Sequence, residues 1–166
     1  MNTFIYEFES SLYFNLTNKC SCACTFCLRL SGDGIGGNSL WLSKEPTVEE
    51  VIAVLKQKDL NKYKEAVFCG FGEPTYRLDA IIEIAQFLRT RGVPTRLDTN
   101  GHGNYINDRD ITPELKRVIN KVSISLNSAT AEGYNLNTRP AVPDGYNEML
   151  NFAAACVKQG IILPVV

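Results

Sequence analysis

Four times in succession, a short strand-like segment is followed by a segment with helical periodicity. "SLYFNLT" (residues 11–17) alternates Leu12, Phe14 and Leu16 with Tyr13, Asn15 and Thr17, the period of a strand with one buried face. "TVEEVIAVLKQK" opens with Thr47 and Glu50 at capping-box spacing and sets Val48, Val51, Ile52 and Leu55 on one helical face. "EAVFCG" is a short apolar strand, and "RLDAIIEIAQFLRTRG" then places Leu78, Ile81, Ile82, Ala85 and Leu88 on one stripe with Gly92 as the stop. "VPTRLDTNG" is a third strand, followed by a short helix "TPELKRVI" with Thr112 as N-cap and Pro113 at its first position. "KVSISLNS" is a fourth strand, "YNEMLNFAAACVKQG" a helix stopped by Gly160, and "IILPVV" begins a fifth strand where the sequence stops.

Such alternation dictates parallel strands joined by crossover helices. Right-handed crossovers then allow a barrel or a doubly wound sheet. The faces of the strands separate the two. In the fourth strand Val122, Ile124 and Leu126 share one face, and Ser123, Ser125 and Asn127 the other. The first strand shows the same division, with Asn15 and Thr17 on its polar face. A strand buried on both faces of a doubly wound sheet is apolar throughout. A polar inner face predicts an α/β fold of another kind, an incomplete (β/α) barrel of parallel strands whose hollow holds a polar ligand, truncated after the fifth strand. The length fits one domain spanning residues 1–166.

The formal charge is -1, from 17 basic and 18 acidic residues. No global field gathers nucleic acid or an anionic membrane, so neither is expected as a partner. No apolar run reaches the length of a membrane span. The first residues, "MNTFIYEFESSLYF", lack the basic start of a signal peptide. A cytoplasmic location is expected, where thiols stay reduced and clustered cysteines serve metals or catalysis more often than disulfides.

Four of the six cysteines fall within eight positions, in "TNKCSCACTFCLR" (residues 17–29). Structural zinc takes four thiolates, usually from separated pairs, and one crowded loop suits it poorly. Cys24 and Cys27 form a C-x-x-C redox pair, which leaves the other cysteines unexplained. Cys20, Cys24 and Cys27 form C-x3-C-x2-C, a spacing that wraps three corners of a cubane iron–sulfur cluster and leaves the fourth iron open.

This last pattern, with Phe26 before its final cysteine and on the loop after the first strand, resembles the radical SAM superfamily. "CGFGEP" resembles that superfamily's Gly-Gly-Glu motif, with Phe71 inserted between Gly70 and Gly72 and followed by Glu73. "DTNG" after the third strand and "SLNS" after the fourth stand where the family carries "TNG" and "SLD/N". The combination is most similar to the short radical SAM proteins called TatD-associated, and covers roughly residues 12–164. The resemblance implies a [4Fe-4S] cluster on Cys20, Cys24 and Cys27 and S-adenosylmethionine (SAM) as second cofactor. It implies that the Gly70–Gly72 backbone, including Phe71, binds the amino group of SAM, that Glu73 holds that turn or the ammonium, and that Phe26 lies near the adenine. Asn100, Ser125 and Asn127 are implied as partners of the ribose and methionine parts, and Arg139 either as a clamp on the SAM carboxylate or as a solvated loop residue. The implied activity is reductive cleavage of SAM to a 5′-deoxyadenosyl radical that takes hydrogen from an unidentified small molecule, peptide or protein. A flavodoxin- or ferredoxin-type protein would donate the electron. The alternatives are an activase for a glycyl-radical enzyme and a non-catalytic zinc or Cys-rich binding module. The superfamily core usually has six strands, so a final strand and helix are missing here or a partner covers the edge.

Other residues read more plainly. Cys22 is a small loop residue, while Cys69 and Cys156 are small buried hydrophobes; two spare cysteines hold no second cubane. "GDGIGG" (Gly32, Gly34, Gly37) is a loop, since no strand leads into it as a nucleotide fingerprint requires. His102, the only histidine, is a loop residue near the opening.

Overall fold

A computed structural model describes residues 3–30, 32, 34–35 and 38–164. Its main sheet has five strands: β1 (Ile5–Phe8), β2 (Ser11–Phe14), β5 (Glu65–Phe68), β6 (Thr95–Thr99) and β7 (Lys121–Ile124), in the spatial order β1-β2-β5-β6-β7. Strands β2, β5, β6 and β7 pair in parallel, while β1 pairs with β2 antiparallel. A short ribbon, β3 (Gly34–Ile35) with β4 (Asn38–Ser39), lies between the cysteine segment and the first helix. It occupies part of the expected glycine loop; Gly37 of that loop lies outside the described residues. The helices are α1 (Val48–Leu55), α2 (Leu78–Arg89), α3 (Gly103–Ile106), α4 (Thr112–Val118), α5 (Ala131–Thr138) and α6 (Gly145–Lys158).

The helices bury one face of the sheet. Leu12, Phe14, Ala66, Phe68, Leu97 and Val122 from the strands share one core with Val51, Leu55, Ile81, Ile84, Leu88, Leu115 and Phe152 from α1, α2, α4 and α6. Alternation sends Tyr13, Val67, Arg96, Asp98 and Ser123 to the opposite face. There Arg96 pairs with Glu65 at 3.1 Å and with Asp98 at 3.0 Å. Parallel strands with helices on one side and a polar hollow on the other form a partial (β/α) barrel. The doubly wound sheet, which needs helices on both faces, is not formed.

Local chemistry fixes the elements. Thr47 Oγ1 accepts from the Glu50 backbone N–H, and the Glu50 carboxylate accepts from the Thr47 N–H, so α1 starts at a complete capping box. The next helix buries Leu78, Ile81, Ala85 and Leu88 of the predicted stripe, with Ile84 more deeply buried than the predicted Ile82, and ends at Arg89, shortly before Gly92. At α4 the expected cap is off by one position. Thr112 is already helical, and the Asp110 carboxylate accepts from both its N–H and its hydroxyl. Strand β7 is shorter than the alternation predicts: it ends at Ile124, Asn127 takes a left-handed φ of 59°, and Leu126 turns out to solvent. Asn15 and Thr17, expected on the polar strand face, lie beyond the end of β2 and are buried in loop contacts. Asn15 Nδ2 donates to the Leu40 carbonyl, and Thr17 Oγ1 donates to Glu45. Of the expected fifth parallel strand, the described residues 161–164 form a bridge between Ile162 and Lys121; Val165 and Val166 lie outside the described residues.

Strand β1 is an outer edge of the sheet. Its Glu7 accepts from Lys58, Lys62 and Tyr63 at 2.8, 3.1 and 2.6 Å. Among the described residues no helix is long and apolar enough to cross a membrane.

Replacing Thr47 by Ala removes the cap on α1. Unfolding in urea is expected to show a loss of about 1 kcal/mol with an unchanged denaturant slope.

Candidate functional site

The carboxyl ends of the parallel strands meet the cysteine segment. One cavity of about 310 Å³ is lined by Cys20, Cys24 and Cys27, by the Gly70–Glu73 loop after β5, by Thr99 and Asn100 at the end of β6, and by Ser125 and Asn127 after β7. Phe26 and Phe71 line it too. The cavity therefore brings together every residue expected at the site except Arg139. That residue lines an adjoining cavity of about 600 Å³ with Arg29 and Trp41, which meets the same cysteines.

Backbone bonds hold the cysteine loop. Ala23 N–H donates to the Thr138 carbonyl at 2.9 Å, Thr25 N–H to the Asn137 carbonyl at 2.8 Å, and Ala141 N–H to the Ser21 carbonyl at 2.8 Å. The C-terminal end of α5 and the residues after it thus form a backing for the loop. The loop itself has little regular structure, and a single turn of 3-10 helix, Leu28–Leu30, follows its last cysteine. This leaves the thiols half-exposed to the cavity. Burial pushes the Cys20 thiol up. A hydrogen bond from Cys22 draws the Cys24 thiol down to about 7, while that of Cys22 rises.

The second wall is held by close approach. A Cβ on Gly70 would meet Asn15 Oδ1 at 2.2 Å, and one on Gly72 would meet the Thr17 and Lys19 carbonyls at 2.4 Å. Both glycines let the β5 loop lie against the segment leading into the cysteines. Phe71 is buried and packs edge-on against Trp41, and its N–H donates to Asn15 Oδ1.

Glu73 is buried and joins the walls. Its N–H donates to the Lys19 carbonyl at 2.7 Å. Its carboxylate accepts from Thr75 N–H and Oγ1, from Thr99 Oγ1 and from the Asn100 N–H. Burial pushes this carboxyl up, against the pull of those donors.

Three features escape the sequence reading. Asp98 and Cys69 line the cavity from the concave face, where the alternation Arg96, Asp98, Asn100 along β6 would have placed the carboxylate. Ser21, hidden between two cysteines, is buried and bonds to Asn100 and His102. His102 is not the mouth residue expected; its ring is fully buried behind the cysteine loop, and burial lowers its pKa.

The donor set suits an iron–sulfur cluster held by three thiolates. Cys20, Cys24 and Cys27 share one cavity, and their thiols stand half-exposed to it. A cubane takes each thiolate at a separate iron.

Two predictions follow from this geometry. Gly72→Ala forces a methyl group against backbone carbonyls, and the variant should melt at lower temperature and lose ligand binding in the cavity. Burial pushes the Asp98 carboxyl from 3.8 to about 6, against the Coulombic pull of Arg96. The neutral acid is thus favoured in the folded chain, so its stabilisation is full below the ordinary carboxylate pKa and is lost as pH rises through about 6. At about 1.36 kcal/mol per pKa unit, the difference approaches about 3 kcal/mol. Wild type should lose stability relative to Asp98→Asn between pH 4 and 7, read from unfolding free energies of both proteins across that range.

Comparison with known proteins shows the family. The profile of the Radical SAM superfamily matches residues 14–165. A protein of Dechloromonas aromatica named as a probable RNA methyltransferase is 30% identical over 119 residues, covering 68% of this chain and 30% of that protein. A protein of Methanocaldococcus jannaschii named as a candidate glycyl-radical enzyme activating enzyme is 39% identical over 56 residues, covering 33% of this chain and 21% of that one. A solved structure of TYW1 with a lysine–pyruvate adduct bound shares the fold, with a TM-score of 0.55 at 17% identity, over 86% of this chain and 50% of that one. The chain thus spans less than a third of the curated relatives it matches and half of the solved one. A profile match along nearly the whole chain, with a cysteine loop and strand ends gathered at one cavity, places this protein in the radical SAM superfamily.

Proposed function

We propose that this chain is a radical SAM enzyme that binds a [4Fe-4S] cluster through Cys20, Cys24 and Cys27 and binds SAM in the adjoining space. The observation that carries the reading is the single cavity shared by the three thiols and the ends of strands β5, β6 and β7. Held by Cys20, Cys24 and Cys27, the cluster would supply one electron for reductive cleavage of SAM, the source of the radical that would take hydrogen from the substrate.

The chain's own residues divide the remaining work. The Gly70–Gly72 backbone, pressed against Asn15 and Thr17, offers its polar groups to the amino end of SAM. Glu73 keeps that backbone and the β6 terminus in register. Phe26, which is 56% exposed on the rim, covers the adenine. Ser125, Asn127 and Asn100 are the candidates for contact with the ribose and methionine. Asp98 and Cys69 lie deeper, on the concave face, where a substrate would meet the cavity. Phe71 forms an apolar wall with Tyr6 and Leu40, which limits the water around a reactive intermediate. Arg139 faces the same cysteines from the adjoining cavity, so as a clamp on the SAM carboxylate it would act across the cysteine loop.

A flavodoxin- or ferredoxin-type protein in the cytoplasm is the electron donor in this reading. The substrate is a small molecule, a peptide or a protein. The glycyl-radical activase reading draws on the likeness to the M. jannaschii protein over a third of this chain, and it predicts a glycine-centred radical on a partner. The RNA methyltransferase name of another relative is not carried over, because 17 basic against 18 acidic residues give this chain no general attraction for RNA.

Purified and reconstituted without oxygen, the protein should be brown and hold about four irons per chain, as a single cubane requires. Cys24→Ala should be colourless. With dithionite and SAM the wild type should release 5′-deoxyadenosine. A colourless wild type carrying one tightly bound zinc would overturn the proposal in favour of a binding module.

A further inference from the structure

His102 lines neither of the two cavities that meet the cysteines, yet four polar groups surround its ring, one of them Cys22 Sγ at 3.9 Å from Nδ1. Nε2 lies 3.0 Å from the Gly145 carbonyl and 3.0 Å from the Tyr134 hydroxyl, and Nδ1 lies 2.9 Å from Ser21 Oγ. A carbonyl oxygen only accepts, so Nε2 carries the proton. Nδ1 is then a bare acceptor, and the Ser21 hydroxyl, at 2.9 Å against 3.9 Å for the weakly donating Cys22 thiol, donates to it. Having given its proton to the ring, Ser21 Oγ turns lone pairs toward Asn100, whose Nδ2 donates from 2.8 Å. The amide is fixed a second time, because Asn100 Oδ1 accepts the His102 backbone N–H at 3.0 Å. One N–H of the Asn100 amide remains, and the sulfurs of Cys22 and Cys20 lie 3.6 and 3.9 Å from that nitrogen.

We propose that His102 is a positioning residue: through Ser21 it aims an Asn100 N–H at the sulfur side of the cysteine loop, Cys20 above all, and so raises the reduction potential of the cluster held there. The inference rests on the cluster assignment made above. Of the two sulfurs, Cys20 is the one expected as a ligand. A thiolate bound to iron is the stronger acceptor, and it gains negative charge when the cluster is reduced. A donor aimed at that sulfur stabilises the reduced state more than the oxidised one. Direction matters as much as distance. If His102 carried its proton on Nδ1, Ser21 would receive that proton and turn its own toward the amide. The orientation of Asn100 would no longer be compelled.

The test compares reconstituted wild type with Ser21→Ala, Ser21→Thr and Asn100→Asp, each assayed for iron per chain. The midpoint potential is read by an EPR-monitored reductive titration without SAM. Ser21→Ala should shift the potential to more negative values. Asn100→Asp should shift it further, since it sets a charge and lone pairs where the N–H stood. Ser21→Thr, which keeps the hydroxyl, should return it toward wild type. A purely structural role would lower iron content or melting temperature and leave the potential of the loaded fraction unmoved; that result overturns the proposal while the cluster assignment stands. A wild type that takes up no cluster overturns both. A second measurement needs no cluster at all. Nitrogen-15 NMR of the cluster-free chain should show His102 as the neutral Nε2–H tautomer, and an Nδ1–H tautomer would refute the relay even if the substituted proteins fail to load.

Discussion

The site depends on one buried carboxylate. Glu73 is 2% exposed, and donors from two loops converge on it: Thr75 from the β5 loop, and Thr99 and Asn100 from the end of β6. Its backbone N–H reaches a third, the segment that leads into the cysteines. A carboxylate taken out of water is tolerated only when its lone pairs are met. Here the same bonds that satisfy it also set the spacing of three chain segments far apart in sequence. The two flanking glycines act with it, because Gly70 and Gly72 permit contacts with residues 15–19 that any side chain would break. The walls of the cavity are therefore positioned by packing and hydrogen bonds within the protein.

Much of this is legible in the sequence. The capping box at Thr47, the stripe of α2 and the alternation of strands with helices are local patterns, and local patterns survive folding because each is stabilised by its own neighbours. The division of "KVSISLNS" into apolar and polar faces identified the open barrel correctly, since Val122 enters the core while Ser125 reaches the cavity. The same alternation failed one residue later. Leu126 is exposed because the strand ends at Ile124 and the chain then turns, with a positive φ at Asn127, which a period-2 pattern does not encode. Asn15 and Thr17 fit the pattern and yet serve loops, because their partners Leu40, Phe71 and Glu45 lie far along the chain.

Long-range partners also explain what was missed at the site. Helix α5 has no apolar stripe in "AEGYNLNT", so helical periodicity gives no sign of it. Tyr134 and Thr138 nevertheless sit fully buried behind the cysteine loop, whose backbone N–H groups donate to carbonyls at the end of that helix. A lone histidine after a strand looks like a mouth residue until Ser21 and Gly145 enclose it. The C-x3-C-x2-C spacing is a local pattern and so stands out in the sequence, but the choice of a cluster over zinc or a redox pair came from the resemblance carried by the other motifs. Arg139 had no such local signature, and the structure sets it in the neighbouring cavity.

An open barrel keeps raw strand edges, and an edge is a template on which further strands can grow. Here the outermost strand carries a glutamate in its middle, held by two lysines and a tyrosine from the α1–β5 connection. An incoming strand would have to strip that anion of its partners before pairing there. The hollow can thus stay open to ligands without the sheet becoming a seed for fibres.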